Sequence, residues 1–211
     1  MSEYGIKMKK VRDMSFGELH RCISIGTTAF EHQYGINDFI LKHYFSDKNK
    51  NMILTYKDNE IVGFHQTSII ILDDARVINH DFSVVHPDHR LKGIDYSANN
   101  FRYNWAMEND CDCASFKSRS PFLIEKRMKE KFQNPLITPN EDISSDIVYL
   151  GKKISYFLGE NTNNNLVVEI NNPKIVPFYS KPITMPARND KINKIIRELD
   201  SNKRLRFVRK F

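Results

Sequence analysis

The stretch Val84-Val85-His86-Pro87-Asp88-His89-Arg90-Leu91-Lys92-Gly93-Ile94-Asp95 decides how this sequence is interpreted. It begins as an apolar strand, and Pro87 ends that strand because proline has no N–H to donate to a sheet. A basic loop with one glycine follows and opens directly into a helix. The first N–H groups of a helix attract anions, so the stretch predicts a binding site for a pyrophosphate.

Strand and helix patterns alternate on both sides of this stretch. The segments that predict strands are 6–11, 52–56, 61–72, 77–85, 113–116 and 147–154. The segments that predict helices are 38–45, 96–109, 121–131 and a first helix that begins at Ser15, which forms a capping box with Glu18. Short polar turns between 52 and 85 predict an antiparallel meander, and the next helix and strand predict a βαβ unit with a parallel pair.

The pattern weakens beyond residue 154. An Asn-rich loop at 161–165 and a short strand at 166–170 precede a segment that is punctuated by Pro173, Pro177, Pro182 and Pro186. A last helix is capped by Asn189, and its inward side chains are Ile192, Ile195, Ile196 and Leu199. We therefore predict a domain over 1–154 and a C-terminal elaboration over 155–211 that packs on the same domain.

The end of the chain, 203–211, alternates apolar and basic residues. This alternation favours an edge strand with a solvated basic face over an arm that binds nucleic acid. The net charge of the whole chain is +6 and its pI is about 9.1. Such an excess fits either a polyphosphate cofactor or nucleic acid, and it does not decide between them.

Composition predicts a globular protein of the cytoplasm. Hydrophobic residues make up 40% of the 211, and no apolar run approaches the roughly 18 residues that a membrane span requires. The N-terminus has no apolar signal core, and three cysteines give no disulfide framework. Two of them, Cys111 and Cys113, are predicted to serve packing and a turn.

The order of elements, with the loop after the fourth strand, resembles the GCN5-related N-acetyltransferase (GNAT) superfamily over about residues 4–154. In that family an Arg/Gln-x-x-Gly-x-Gly/Ala loop binds the pyrophosphate of coenzyme A, and Arg90-Leu91-Lys92-Gly93-Ile94-Asp95 fills the same register. The resemblance implies a mixed, mostly antiparallel central sheet with helices on both faces and a splayed parallel pair after the fourth strand. It also implies acetyl-CoA, or another acyl-CoA, as co-substrate.

The cofactor-binding residues that we predict follow the strand end, the loop and the next strand end. They are Val84, Val85, Arg90, Leu91, Lys92, Gly93, Ile94, Asp95, Ser118 and Ser120. Gly93 removes a Cβ from the approach to phosphate, and Arg90 and Lys92 supply positive potential. The backbone of the strand would bond the amides of the pantetheine arm.

Two positions depart from the family pattern. Asp95 stands where the family prefers glycine or alanine, and a carboxylate beside a pyrophosphate is electrostatically adverse unless it turns away from the loop. The tyrosine that protonates the departing thiolate in the family has no counterpart in 118–132, where Arg127 falls near its position. The thiolate would leave without an acid, or with Ser118, Ser120 or Tyr149 nearby.

Acyl transfer to an amine requires a base and a stabilised oxyanion. On the fourth strand Asn79, Asp81 and Ser83 are predicted to share one face, and His80 to take the other. Asp81 is the predicted base, since the family often places a base there, and the alternative is a carboxylate that its neighbours satisfy. His80 and Tyr149 complete the predicted catalytic set.

No metal is predicted, because His86 and His89 have no further ligand at metal spacing. Trp105, with Phe101 and Met107 on the helix at 96–109, is predicted to belong to the core.

These observations predict an acyl-CoA-dependent N-acyltransferase in which a small-molecule or protein amine attacks the thioester directly in a ternary complex. A second hypothesis is a nucleic-acid-directed protein on the same scaffold, which the basic C-terminus suggests. A third is a non-catalytic domain with an empty cofactor groove. No membrane partner is expected, and the protein would be a monomer or a homodimer.

Overall fold

The computed structural model describes residues 4–31, 35–137, 143–169, 186–200 and 202–211. For His43 it describes the backbone but not the side chain. These residues form two compact units. The first comprises residues 1–69 and 78–110, and the second comprises 70–77 and 111–211. Pro173, Pro177 and Pro182 of the predicted irregular segment lie outside the described residues. The predicted division at residue 154 stays a prediction.

The first unit contains strands β1 (Gly5–Lys10), β2 (Asn51–Lys57), β3 (Glu60–Ile71) and most of β4 (Arg76–Val85), which are neighbours in that order. β2 pairs antiparallel with both β1 and β3. The helices are α1 (Phe16–Ala29), α2 (Ile36–Tyr44) and α3 (Ile94–Glu108). The predicted meander and the three predicted helices are therefore confirmed, with ends displaced by at most a few residues.

Helices lie on both faces of this sheet, as predicted. On the α2 side, Gln66 of β3 donates to the carbonyl oxygen of Tyr44, and the rings of Tyr44 and Phe82 stack with centroids 3.8 Å apart. On the α3 side, Ile94 lies against Gly63 of β3. Side chains of a strand alternate between its faces, so the odd and even positions of β3 serve different helices.

The inner face of α3 differs from the predicted one. Its buried residues are Ile94, Ala98, Asn99, Arg102, Tyr103 and Ala106. Met107 is 51% exposed, and Phe101 and Trp105 are only partly buried, so their assignment to the core was wrong for Met107 and incomplete for the other two. Phe101, Trp105 and Met107 were assigned to the core because they are large and apolar. Asn99 and Arg102 can be buried instead because their polar groups are hydrogen-bonded. Arg102 donates to Asn99, and Asn99 donates to a backbone carbonyl.

The start of α1 is held by the predicted capping box. Ser15 accepts from the Glu18 N–H, and the Glu18 carboxylate accepts from the Ser15 N–H at 2.8 Å. The same carboxylate accepts from Lys9 Nζ at 2.8 and 3.0 Å and from the Tyr56 hydroxyl at 2.9 Å. Burial alone would raise the pKa of Glu18, but these hydrogen bonds lower it from 4.5 to about 2.

The second unit contains β5 (Cys113–Ser118), β6 (Asn161–Thr162), β7 (Val167–Glu169) and β8 (Lys203–Lys210) in the order β5-β8-β7-β6, with antiparallel pairs. Its helices are α4 (Pro121–Lys129), α5 (Ser145–Phe157) and α6 (Asp190–Glu198). Asn189 caps α6, and Ile192 and Ile196 are buried, as predicted.

The predicted parallel pair is confirmed at the start of β4, which belongs to the second unit. The Asp112 N–H donates to the Arg76 carbonyl at 2.8 Å, and the Asp112 carboxylate accepts from the Arg76 N–H at 2.7 Å. Because both contacts join the beginning of β4 to the beginning of β5, the two strands run in the same direction.

The predicted strand at 147–154 is wrong, since these residues lie within α5. Ile147, Leu150 and Ile154 are buried and follow a helical spacing. They pack in an apolar cluster that includes residues of β4, β5 and β8. The apolar composition of the segment suggested a strand, whereas the period of its buried positions is that of a helix.

The last strand, β8, is present as predicted, but it is not an edge strand. It pairs with β5 on one side and with β7 on the other, and Arg204 and Arg206 are buried. Arg206 donates to Ser115 at 2.8 Å and to Ser155 at 2.9 Å, and it also pairs with Glu160. Burial would raise the pKa of Glu160, but the charges of Arg206 and Lys117 lower it.

Glu18→Gln is expected to lower the free energy of unfolding by about 2 kcal/mol at pH 7, because it removes charge-assisted hydrogen bonds. The pKa of Glu18 is lowered by folding, so its contribution is complete above pH 4.5 and is lost as the pH falls toward about 2. Urea unfolding at pH 7 and at steps down to pH 3 measures the difference. The exposed Glu108→Gln on α3 is the control, and an equal effect of both variants would contradict the expectation.

Arg206→Met is expected to destabilise the protein by about 3–5 kcal/mol, because it leaves the Glu160 carboxylate partly buried without its main partner. The matched control is Lys210→Met on the same strand, whose exposed ammonium group contributes little. Thermal and urea unfolding of both variants measure the difference. A change below about 1 kcal/mol for Arg206→Met would show that this network is not a stabilising centre.

Candidate active site

The loop after β4 has a defined backbone in the first unit. The His86 N–H bonds to the Val62 carbonyl at 2.9 Å, and a single 3-10 turn follows at Pro87–His89. Leu91 has a φ of 63° and Gly93 a φ of 78°, and Gly93 is the N-cap of α3. The left-handed conformation explains why glycine stands at position 93. Because glycine has no side chain to cap the helix, the first turn of α3 faces the loop with its positive end.

Positive charge is concentrated around this loop. Lys92 is exposed, and the pKa of His89 is lowered first by burial and then by the charges of Lys92, His86 and Lys57. Arg90 donates to the Val85 carbonyl at 3.4 Å and to the Ala29 carbonyl at 3.2 Å. Arg90 therefore ties the loop to the end of α1 as well as adding charge, and the local potential favours an anion.

Asp95 is directed toward the sheet. Its Oδ1 lies 3.9 Å from Nδ1 of His65 on β3, and His65 is fully buried while the Asp95 side chain is 22% exposed. The position where the resemblance calls for a small residue thus carries a carboxylate that is engaged with a histidine. The carboxylate whose charge was predicted to be adverse to a pyrophosphate thus lies close to a buried histidine of the sheet.

Asp81, the predicted base, has several partners. Its Oδ1 accepts from Ser68 at 3.0 Å and from the Asn79 side chain, and its Oδ2 lies 3.3 Å from Lys50 Nζ. The surroundings are those of a strand carboxylate satisfied by its neighbours, and the catalytic role stays a prediction. Lys50 was missed in the sequence, where it is one more polar residue of a loop.

His80, the second catalytic candidate, lies with its ring centroid 6.2 Å from that of His65 and is partly buried. It occupies the opposite face of β4 from Asp81. Asp81 bonds Ser68, and Phe82 packs on Phe64, although Ser68 and Phe64 share one face of β3. Asp81 and Phe82 are adjacent in β4, yet both contact residues at even-numbered positions of β3.

The other predicted residues lie in the second unit. Ser118 Oγ accepts from the Ser120 N–H at 3.0 Å, and Ser120 Oγ accepts from the Leu123 N–H at 3.4 Å as the N-cap of α4. Tyr149 is on α5, is 56% exposed, and has Lys153 Nζ 5.1 Å from its ring centroid. The strand that was expected to carry Tyr149 is absent, so the reason for choosing this residue is lost.

His65 is the residue of this site that the sequence did not identify. A histidine between Phe64 and Gln66 within a long, largely apolar strand is a weak signal, because strand histidines are common. Its partner Asp95 stands 30 positions away in the chain. The carboxylate at Asp95, where the family prefers glycine or alanine, is the signal that could have led to His65. A partly buried carboxylate requires a donor or a cation nearby.

Among the described residues, no group of three His, Cys, Asp or Glu side chains is arranged to hold a metal ion. His86 and His89 meet as rings 6.0 Å apart in an edge-to-face arrangement. In the same ranges of the chain, no helix is both long and apolar enough to cross a membrane. All three cysteines are buried and form no disulfide.

Several solved structures with a similar fold are named as N-acyltransferases or N-acetyltransferases. An acyl-CoA N-acyltransferase from Pseudomonas aeruginosa is 11% identical, with 62% of this chain and 89% of that chain covered and a TM-score of 0.50. A ribosomal-protein-alanine N-acetyltransferase from Brucella melitensis biovar Abortus 2308 is 22% identical, covers 50% of this chain and 72% of its own, and has a TM-score of 0.39. The ribosomal-protein-S18-alanine N-acetyltransferase from Escherichia coli is 12% identical, covers 67% and 86%, and has a TM-score of 0.47.

The chain has the fold of the GNAT superfamily, and at these identities the likeness shows the fold alone. No protein-family model matches the chain, and no curated protein matches it.

Lys92→Ala is expected to raise the pKa of His89, because the charge of Lys92 is the largest cause, after burial, of the lowered pKa. Proton NMR titration of the His89 ring measures the change. Lys42→Ala on the exposed side of α2 removes the same charge elsewhere and should leave the His89 pKa where it is. An unchanged pKa in Lys92→Ala would show that Lys92 does not contribute to the potential of the loop.

Proposed function

We propose that this protein is an acyl-CoA-dependent N-acyltransferase, with acetyl-CoA as the first candidate donor. The observation that carries the proposal is the junction of β4 and α3: a basic loop, a left-handed Gly93 and an uncapped helix start whose one carboxylate points at His65. This junction supplies backbone N–H groups and positive potential for a diphosphate. The GNAT fold supports the same assignment.

Different residues of this unit would bind different parts of the cofactor. The backbone N–H groups of Leu91 to Ile94 would receive the pyrophosphate, with Lys92 as an exposed cation beside it. The backbone of Val84 and Val85 would bond the pantetheine arm as an added strand does. Arg90 would hold the loop in place through its two carbonyl partners.

In the reaction the nitrogen of a neutral amine attacks the thioester carbonyl carbon, and a tetrahedral intermediate forms. The carbon–sulfur bond then breaks, and the thiolate of coenzyme A departs with the electron pair. Because Lys50 and two donors already occupy Asp81, we place His80 first as the base that takes the amine proton and keep Asp81 second. A backbone N–H of β4 would polarise the thioester carbonyl and stabilise the oxyanion.

The acceptor is proposed only as an amine, either of a small molecule or of a protein. The nucleic-acid hypothesis, which rested on the pI, the basic C-terminus and the missing tyrosine, is weakened at the C-terminus, since Arg204 and Arg206 are buried in an interior strand. An experiment distinguishes the non-catalytic hypothesis from the proposed enzyme. The protein is incubated with acetyl-CoA and a panel of amines, and release of the coenzyme A thiol is measured. Binding of acetyl-CoA without thiol release would favour the non-catalytic hypothesis.

Acetyl-CoA binding, measured by calorimetry, tests the proposal. Lys92→Glu is expected to weaken the affinity about tenfold or more, because a reversed charge repels the diphosphate. Lys42→Glu makes the same change of net charge on α2 and should alter the affinity by less than about twofold. Gly93→Ala should also weaken binding, because the φ of 78° is strained for any L side chain.

Absence of acetyl-CoA binding by the unmodified protein at millimolar ligand would refute the proposed function. Equal losses in Lys92→Glu and Lys42→Glu would show a general charge effect and remove the loop from the binding site. Circular dichroism and thermal unfolding of each variant confirm that the fold is retained.

A further inference from the structure

The contact between Asp95 and His65 can determine the direction in which the Asp95 carboxylate points. His65 has no exposed surface, and its Nδ1 is 3.9 Å from Asp95 Oδ1. At that distance the two groups form an ion pair when the imidazole is protonated, in surroundings where screening by water is weak. An acidic side chain in the first turn of a helix otherwise stays near the helix N–H groups, which attract it.

The first turn of α3 lies against β3 at Gly63, and hydrogen bonds within α3 hold its backbone independently of this contact. Gly63 allows the close approach, since a Cβ there would lie 3.3 Å from the Val84 carbonyl oxygen and 3.5 Å from Ile94 Cγ2. Asn99 donates to the Asp95 carbonyl at 2.6 Å, and Arg102 donates to Asn99. The backbone of Asp95 is therefore held, and the direction of its carboxylate is a matter of the side chain alone.

Two directions are then open to the carboxylate. Turned outward, it would lie beside the N–H groups of the loop and the helix start, compete for them, and repel a diphosphate. Turned inward, it meets His65, which is the arrangement observed. The inward direction leaves the positive end of α3 to an external anion.

We propose that His65 is a positioning residue for coenzyme binding: it holds the Asp95 carboxylate against the sheet and so keeps the start of α3 open to the diphosphate. This inference rests on the proposed function. It gives His65 of β3 a role in the affinity of the protein for acetyl-CoA. His65 itself does not touch the ligand, and it acts only through Asp95. Its effect on binding must therefore disappear when Asp95 carries no charge.

A double-mutant cycle tests this dependence with acetyl-CoA as the probe. Calorimetry is performed on the unmodified protein, His65→Phe, Asp95→Asn and the double variant. His65→Phe keeps a ring of similar shape without polar atoms and is expected to weaken binding about fivefold or more, because the released carboxylate repels the diphosphate. In the Asp95→Asn background the same substitution should change the affinity by less than about twofold.

His65→Gln is the conservative variant, since its amide can still donate to Asp95, and it should retain an affinity close to that of the unmodified protein. Thermal unfolding shows whether each variant is folded, and His65→Leu replaces His65→Phe in the cycle where the ring is not accommodated. A merely structural histidine would cost affinity equally in both Asp95 backgrounds, and that result overturns the inference while leaving the proposed function intact. If the unmodified protein binds no acetyl-CoA, both fall together.

Discussion

Close contact between Gly63 of β3 and Ile94 of α3 fixes the start of the helix on which the candidate site depends. A Cβ at position 63 would lie 3.3 Å from the Val84 carbonyl oxygen of β4, which is unusually tight, and 3.5 Å from Ile94 Cγ2, which is an ordinary van der Waals contact. With α3 seated there, the loop has only a few residues in which to turn from β4 into the helix. The left-handed Gly93 and the positive φ of Leu91 are the result of that short connection.

With the start of α3 packed on β3, the Asp95 carboxylate lies close to His65, with 3.9 Å between Oδ1 and Nδ1. A small residue at the third position of the phosphate loop needs no partner, because it carries no charge. A carboxylate there becomes compatible with an anion site only if the protein also provides a cation or a donor on the sheet side. His65 on β3, with Nδ1 3.9 Å from Asp95 Oδ1, is the group that we propose for this role.

Local patterns in the sequence predicted most elements of the first unit. Ser15 and Glu18 marked the start of α1, and alternation with polar turns marked the meander, because caps and turns depend on neighbouring residues. The segment 147–154 was misassigned since a short apolar run fits a strand or a buried helix equally well. Long-range polar contacts decided the rest, such as the direction of Asp95, and no local pattern encodes them.

The buried charges change how the basic composition is interpreted. Arg206 is fully buried with Glu160 and two serines, so its charge is compensated inside the second unit and presents nothing to a partner. By contrast, Lys92 is exposed at the loop, and its charge contributes, after burial, to the lowered pKa of His89. Backbone N–H groups and exposed positive charge at a helix start favour an anion, and we propose a diphosphate as that anion.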